Sequence, residues 1–230
     1  SRASTAVVCS GFALVDLLFL GANVSKIPAG GWFPLVIGGA IYLLMSTWER
    51  GRALLAANTG DGRLTVDAFL RSLGESKGTR VPGTAIYLHR HRGQVPPALL
   101  VNLERNRALH QQVVLVTVET ARVSHVAIAR RAAVQDLGSG FVEVILSFGF
   151  ADIPDVPAAL RSIVDPAFGL AEHDSTFVIA HEDVIPSTLP GMPLWRERLF
   201  AVMHRNAANA ADQFHLPHDR VLQVGRRVEI

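Results

Sequence analysis

Cysteine and charge are what this chain has least of. Its 230 residues include a single cysteine, Cys9, which excludes an internal disulfide and leaves no set of thiols for a zinc quartet. Charged residues make up only 18% against 49% hydrophobic, a balance too apolar for a disordered chain and high even for a soluble enzyme. The 22 Lys and Arg outnumber the 20 Asp and Glu by only two, so there is no basic stripe, and nucleic acid is not expected as a partner. The scarcity of charge is uneven. Residues 1–48 hold only Arg2, Asp16 and Lys26 as charged side chains, and all the others lie beyond Trp48. Two physically different regions are joined in one chain.

In the first region Ala3 to Val15 is uncharged, Asp16 interrupts, and Leu17 to Ser25 is uncharged again; Ile27 to Trp48 has no charge at all. A helix needs about 20 mainly apolar residues to cross the hydrocarbon core, and both runs meet that length. Two membrane helices, at about 3–25 and 30–48, are therefore expected in preference to a pair of buried helices in a soluble core. Lys26-Ile27-Pro28-Ala29-Gly30-Gly31 supplies the turn, and Trp32 and Trp48 the interfacial aromatics. A signal peptide fits poorly: no Lys-rich leader precedes the first run, and charges rather than a small-residue cleavage pattern follow the second. Arg50 and Arg52, then Arg63, Arg71, Lys77 and Arg80, stand against the lone Lys26 of the turn. Positive charge collects on the cytoplasmic side, so both ends of the chain are expected there. The expected organisation is thus 1–50 as the helical hairpin, 51–80 as a linker with a short amphipathic helix, and 81–230 as a cytoplasmic mixed α/β domain.

Within the second region, Asn58 to Gly62 reads as a turn or linker. Leu64 to Phe69 reads as a helix start, with Thr65 as N-cap, Asp67 in the first turn and Leu64 able to staple to Phe69; Gly74 to Gly78 ends that helix. Strands are expected at Thr84 to His89 and at Val113 to Val118, the latter a near-continuous apolar run suited to burial on both faces. Between them Pro96 and Pro97 open a helix expected to reach about His110. Ala133 to Asp136 and Phe141 to Phe148 flank Leu137-Gly138-Ser139-Gly140, a hairpin turn. Pro157 to Val164 reads as a short helix and Ser175 to His181 as a strand. Trp195 to about Asp212 reads as the longest soluble helix, with Trp195, Leu199, Val202 and Met203 facing the core. Val221 to Ile230 closes the chain as one or two strands.

Catalytic patterns are missing. His181-Glu182-Asp183-Val184-Ile185 begins like a metalloprotease helix motif, but Ile185 stands where the second histidine is needed, and the segment follows a strand. His89-Arg90-His91 places two imidazoles on one strand face without a third ligand at metal-binding spacing, which favours a solvated strand end. Neither a phosphate-binding Walker sequence nor a nucleophile elbow occurs. No enzyme activity, resident metal or cofactor is expected. Two polar features stand out. Asp16 sits near the middle of the first apolar run, where an ionisable group is either functional or fixes packing against a polar neighbour. Asn102, Asn106 and His110 recur every fourth residue, and on one helix they form a stripe that suits either a regulatory ligand or packing against backbone at the helix end.

The chain resembles the carboxy-terminal part of the KUP/HAK/KT family of potassium uptake permeases. The resemblance rests on Val15-Asp16-Leu17-Leu18-Phe19, Ala22-Asn23-Val24-Ser25-Lys26, Gly30-Gly31-Trp32-Phe33-Pro34-Leu35, Thr47-Trp48 and Val81-Pro82-Gly83-Thr84-Ala85. Asn102-Leu103, Asn106, Leu109-His110, Arg205-Asn206-Ala207, Asp212-Gln213-Phe214, Pro217, Arg220-Val221 and Val228-Glu229-Ile230 extend it over essentially the whole chain. The resemblance implies a bacterial inner-membrane, multi-pass transporter with about twelve membrane helices, importing potassium together with protons. It implies that this chain holds the last two of those helices and the cytoplasmic domain of a longer protein. Partners would be the lipid bilayer, potassium and protons in the intact protein, the remaining transmembrane helices, and a second copy in a homodimer. Ion sites in such transporters form at broken helices of the core repeats, so no potassium ligand is assigned to any residue here, and Asp16 remains the one transport candidate. The competing expectation is a membrane-anchored sensory or nucleotide-binding module that does not itself transport.

Overall fold

The computed structural model describes residues 2–59, 64–73, 79–163, 175–187, 191–207 and 209–230. It divides into two compact units, Ser1–Arg52 and Ala53–Ile230.

The first unit is helical. Helix α1 (Arg2–Val24) is followed by a wide turn, Ile27–Gly31, and by helix α2 (Trp32–Thr59), whose last residues belong to the second unit. The break falls where Pro and Gly demanded it. The Gly31 N–H reaches back to the Lys26 carbonyl at 3.0 Å, and Gly30 adopts φ 123°, a conformation open to glycine and strained for other residues. Both helices are long and apolar enough to cross a membrane, and every residue from Thr5 to Lys26 is exposed. A pair of core helices in a soluble protein would bury those side chains. Helix α2 runs on through Asn58 and Thr59, so the turn expected to begin at Asn58 starts no earlier than the end of the helix; Gly60 to Gly62 lie outside the described residues.

The second unit is a six-stranded sheet with helices on both faces. Helix α3 (Val66–Leu73) starts as expected, the Thr65 hydroxyl accepting from the Ala68 N–H at 3.3 Å, with Asp67 in the first turn. Gly74 to Gly78, expected to end it, lie outside the described residues. Strand β1 (Thr79–His89) leads through helix α4 (Pro97–Asn106) to β2 (Ala108–Ala121). The helix stops four residues short of His110, because Arg107 turns left-handed at φ 50° and the chain from Ala108 pairs with β1. A loop then leads to the hairpin of β3 (Ala132–Gly138) and β4 (Phe141–Gly149), which turns at Gly138-Ser139-Gly140 as expected. Gly140 is obligatory there: its φ is 79°, and a Cβ would strike the Gln111 carbonyl.

Helix α5 (Val156–Arg161) follows, capped by the Asp155 carboxylate on the Ala158 N–H at 2.8 Å. Strand β5 (Ser175–Ile185), helix α6 (Leu194–Arg205), the short helix α7 (Ala210–Gln213) and the single strand β6 (Val221–Glu229) complete the fold. The expected long helix to Asp212 is two helices, and its core face is different. Glu197, Phe200 and Ala201 are buried while Trp195 and Val202 are exposed. Apolar residues lie on both sides of α6, so periodicity alone did not single out the buried one.

The strand order is β3-β4-β2-β1-β5-β6, with β3 antiparallel to β4 and every other pair parallel. Alternation along the strands makes two cores. Ile86, Val114, Val116, Val142 and Val144 point to one face, covered by α5 and α7. Ala85, Tyr87, Val113, Leu115 and Phe141 point to the other, covered by α3 and α4. Burial on both sides explains the near-continuous apolar runs of β2 and β4.

Candidate functional site

Asp16 lies on α1 inside the apolar span Thr5–Val24, exposed, with no hydrogen bond or ion pair among the described residues. The asparagine stripe is only partly assembled. Asn102 Nδ2 donates to the Tyr87 hydroxyl at 3.1 Å and to the Ala108 carbonyl at 3.3 Å, and Asn106 Nδ2 donates to Asn102 Oδ1 at 2.7 Å. His110 does not join them. It has left the helix for β2, where its carbonyl accepts from Arg80 Nη1 at 2.8 Å. The two asparagines clamp the end of α4 to β1 and to the first residue of β2. Tyr87 is buried beneath them; burial raises its phenol pKa, and the Asn102 hydrogen bond opposes that rise.

The parallel strands themselves mark a second location. Taking only these, β1 stands at the centre, with β2 and β4 to one side and β5 and β6 to the other. Pairing between β1 and β5 ends at Tyr87 with Val178, while β5 continues beside β6 as far as Ile185. A crevice at the carboxyl ends of two strands whose connections run in opposite directions is where open α/β sheets bind ligands. His89, Arg90, His91 and Arg92 leave β1 at this point, with the two imidazole rings 5.8 Å apart. On the other strand His181 lies 3.4 Å from Asp183 on the exposed extension of β5. Cationic side chains here suit an anion. Among the described residues no three or more His, Cys, Asp or Glu gather as a metal site.

Acidic groups missed by the sequence reading hold the loops around this edge. Glu143 is buried in β4 and accepts from the Gly93 N–H at 2.9 Å, fastening the loop after β1. Asp152 is the centre of a larger knot. Its carboxylate accepts from the Val126 N–H at 3.0 Å and the Gly149 N–H at 2.8 Å, with His125 Nδ1 at 2.8 Å and Arg131 Nη2 at 3.3 Å. The Val126 amide, then His125 and the Gly149 amide, and finally the Arg131 charge hold its pKa far below the usual carboxylate range against partial burial. Nothing local in Gly149-Phe150-Ala151-Asp152 reveals that the aspartate binds a loop reaching 26 residues back, at Val126. Glu197 is fully buried in α6, one oxygen accepting from the Ser187 N–H at 3.1 Å.

Comparison with known proteins gives this arrangement its context. Residues 82–230 match the family model described as the K+ potassium transporter C-terminal domain, and residues 1–53 match the K+ potassium transporter integral membrane domain. The chain belongs to the KUP/HAK/KT family of potassium transporters. It is 46% identical over 219 residues to the probable potassium transport system protein Kup of Aromatoleum aromaticum, covering 95% of this chain and 34% of that protein. It is 44% identical over 221 residues to Kup 1 of Novosphingobium aromaticivorans, with the same coverage, and 40% identical over 219 residues to Kup of Myxococcus xanthus, again covering 95% of this chain and 34% of the relative. The chain thus spans about a third of the length of the curated relatives it matches. No solved structure matches it. With the family membrane domain over its two exposed apolar helices, it is a membrane protein.

Proposed function

We propose that the intact protein imports potassium into a bacterial cell through the inner membrane, coupled to protons, and that this chain supplies its peripheral final helices and its cytoplasmic domain. The observation that carries this reading is the succession, on one chain, of the family's membrane domain and its C-terminal domain. A helical hairpin alone cannot surround a dehydrated ion with oxygens, so the conducting pathway requires further helices. The test is rescue of a potassium-uptake-deficient strain. The complete gene should restore growth at low potassium, and the 230-residue chain should not; rescue by this chain, or failure of a well-expressed complete protein, would overturn the reading.

Sidedness has its own check. Arg50 and Arg52 against Lys26 support a cytoplasmic side for the α/β unit. With Cys9 replaced, Ala29→Cys should react with an impermeant thiol reagent from outside and Ala133→Cys should not. The reversed pattern would sink that orientation. A second reading, a ligand-sensing module carried on a membrane anchor, is favoured by the reversal of strand connections at β1 and β5. Binding of a phosphate-bearing ligand that weakens on Arg90→Ala, in a protein without uptake activity, would favour it over transport.

A further inference from the structure

The two loops at the carboxyl ends of β2 and β4 expose four large apolar side chains. Val123 is 51% exposed, Ile128 66%, Phe150 68% and Ile153 72%. The loops bearing them are not loose. The Phe150 N–H donates to the Val123 carbonyl and the Ala151 N–H to the Ser124 carbonyl, both at 3.0 Å, extending the β2–β4 ladder beyond Ala121 and Gly149. The Asp152 knot fastens the same two segments, and the Arg131 guanidinium, 4.8 Å above the Phe148 ring, also donates to the Val126 carbonyl at 3.0 Å. A flexible loop could fold such side chains inward; this frame holds them in water, where a patch of this kind marks an interaction surface.

Charge selects the partner. Arg122 and Arg130 flank the patch, exposed and without an ion pair among the described residues. The acids of the two loops are occupied: Asp152 within the knot, and Asp155 at the cap of α5. The nearest exposed acid preceding the first loop, Glu119, belongs to β2. An apolar centre with a cationic rim matches the interface of an anionic bilayer, where aromatic and aliphatic groups enter the acyl boundary while arginines meet headgroups. A symmetric pair of copies would instead set one cationic rim against another.

We propose that Val123, Ile128, Phe150 and Ile153, with Arg122 and Arg130, form a surface that docks on the anionic face of the bilayer in which the chain is anchored. The proposal rests on the membrane anchorage, not on potassium transport or on which side the domain occupies. Because the same chain holds the membrane helices, lipid is always at high effective concentration, and a weak contact suffices.

The test uses the whole chain reconstituted in vesicles, with Cys9→Ala and an environment-sensitive fluorophore on Ile153→Cys. Vesicles of phosphatidylcholine are compared with vesicles containing about 30% phosphatidylglycerol. In the anionic vesicles the fluorophore should shift to the blue and be quenched by spin-labelled lipid about twofold more than in neutral ones. That difference should shrink when salt rises from about 0.1 to about 0.5 M, and vanish in the Arg122→Glu, Arg130→Glu variant. The same fluorophore on Glu104→Cys, at the opposite end of the sheet, should show neither effect. Quenching independent of lipid charge, equal quenching at residue 104, or a blue shift without quenching, which marks burial against protein, would each overturn the proposal. Since no ion flux is read, its failure is distinct from failure of the uptake reading.

Discussion

The two units use apolar side chains in opposite ways. In α1 and the first turns of α2, Phe12, Leu17, Phe33 and Val36 are all more than half exposed, and Gly38 has nothing within 4 Å of where a Cβ would stand. In the sheet, Val114, Val116, Val144 and Leu146 are wholly buried, and Gly149 lies against the backbone of Ser124 and His125. Within this chain the same residue types are therefore placed in opposite ways. Lipid rewards an apolar surface regardless of detailed fit, whereas the sheet's stability depends on each side chain matching its neighbours. Family membership alone does not draw this distinction; burial does.

Glycine-to-alanine changes break the comparison most sharply. Gly149→Ala forces a methyl into backbone and should cost about 3 kcal/mol, enough to lower the melting temperature of the chain in mild detergent by roughly 10 °C. Gly38→Ala fills open space on a helix and should leave melting unchanged or raise it slightly. Equal losses at both sites would mean that α2 is as tightly packed as the sheet. Valine truncations come next. Val116→Ala should cost about 2 kcal/mol by leaving a cavity, against less than about 0.5 kcal/mol for the exposed Val36, both read from chemical denaturation.

The Asp152 knot gives a smaller effect with a pH signature. Asp152→Asn should lower the denaturation midpoint at pH 6, since the amide keeps one acceptor oxygen for the two backbone N–H groups but loses the negative charge beside Arg131 and puts an NH2 where Oδ1 meets His125. The folded chain holds this group's pKa below its ordinary value of 3.8. The wild type's advantage should therefore be full above about pH 4 and decline as the pH falls from there toward the depressed folded value. A gap between the two midpoints that stays constant down to pH 2 would assign Asp152 no charge-dependent role. Asp16→Asn should have the smallest effect: potassium uptake by the complete protein within a few-fold of wild type. Abolished uptake at normal membrane levels would make Asp16 a proton carrier instead.

How much was legible in the sequence follows the same division. An uncharged run of membrane length announces itself, and Pro28 with Gly30 marks where it turns. The β3–β4 hairpin was equally readable, because Gly138-Ser139-Gly140 separates two strand-like runs. The end of α4 was not. It is closed by Arg107 in a left-handed conformation that a glycine would have signalled, and Leu109 and His110 continue a helical spacing although they lie in β2. Pairing with β1 decided the matter, and pairing is non-local. The asparagine stripe failed at the same place: Asn102 and Asn106 meet, but the third member was carried off by the strand. The order of the parallel strands, whose connections reverse between β1 and β5, depends on crossovers that no local pattern specifies. Nor does any local pattern show Asp152 binding the loop that holds Val126.

Asn58 Nδ2, near the end of α2, donates to the Glu229 carbonyl at 2.8 Å, joining residues 171 positions apart. β6 is the edge strand it secures, and β6 is also the last strand synthesised of those described. While a ribosome is still making it, β5 presents an open strand edge, a template for pairing with another chain. β6 joins the sheet by pairing with β5 across the intervening helices, a non-local contact of the kind that slows folding. Chains stalled or cut before Val221 should accumulate as aggregates at the membrane, so the final ten residues act as the seal on the domain's assembly.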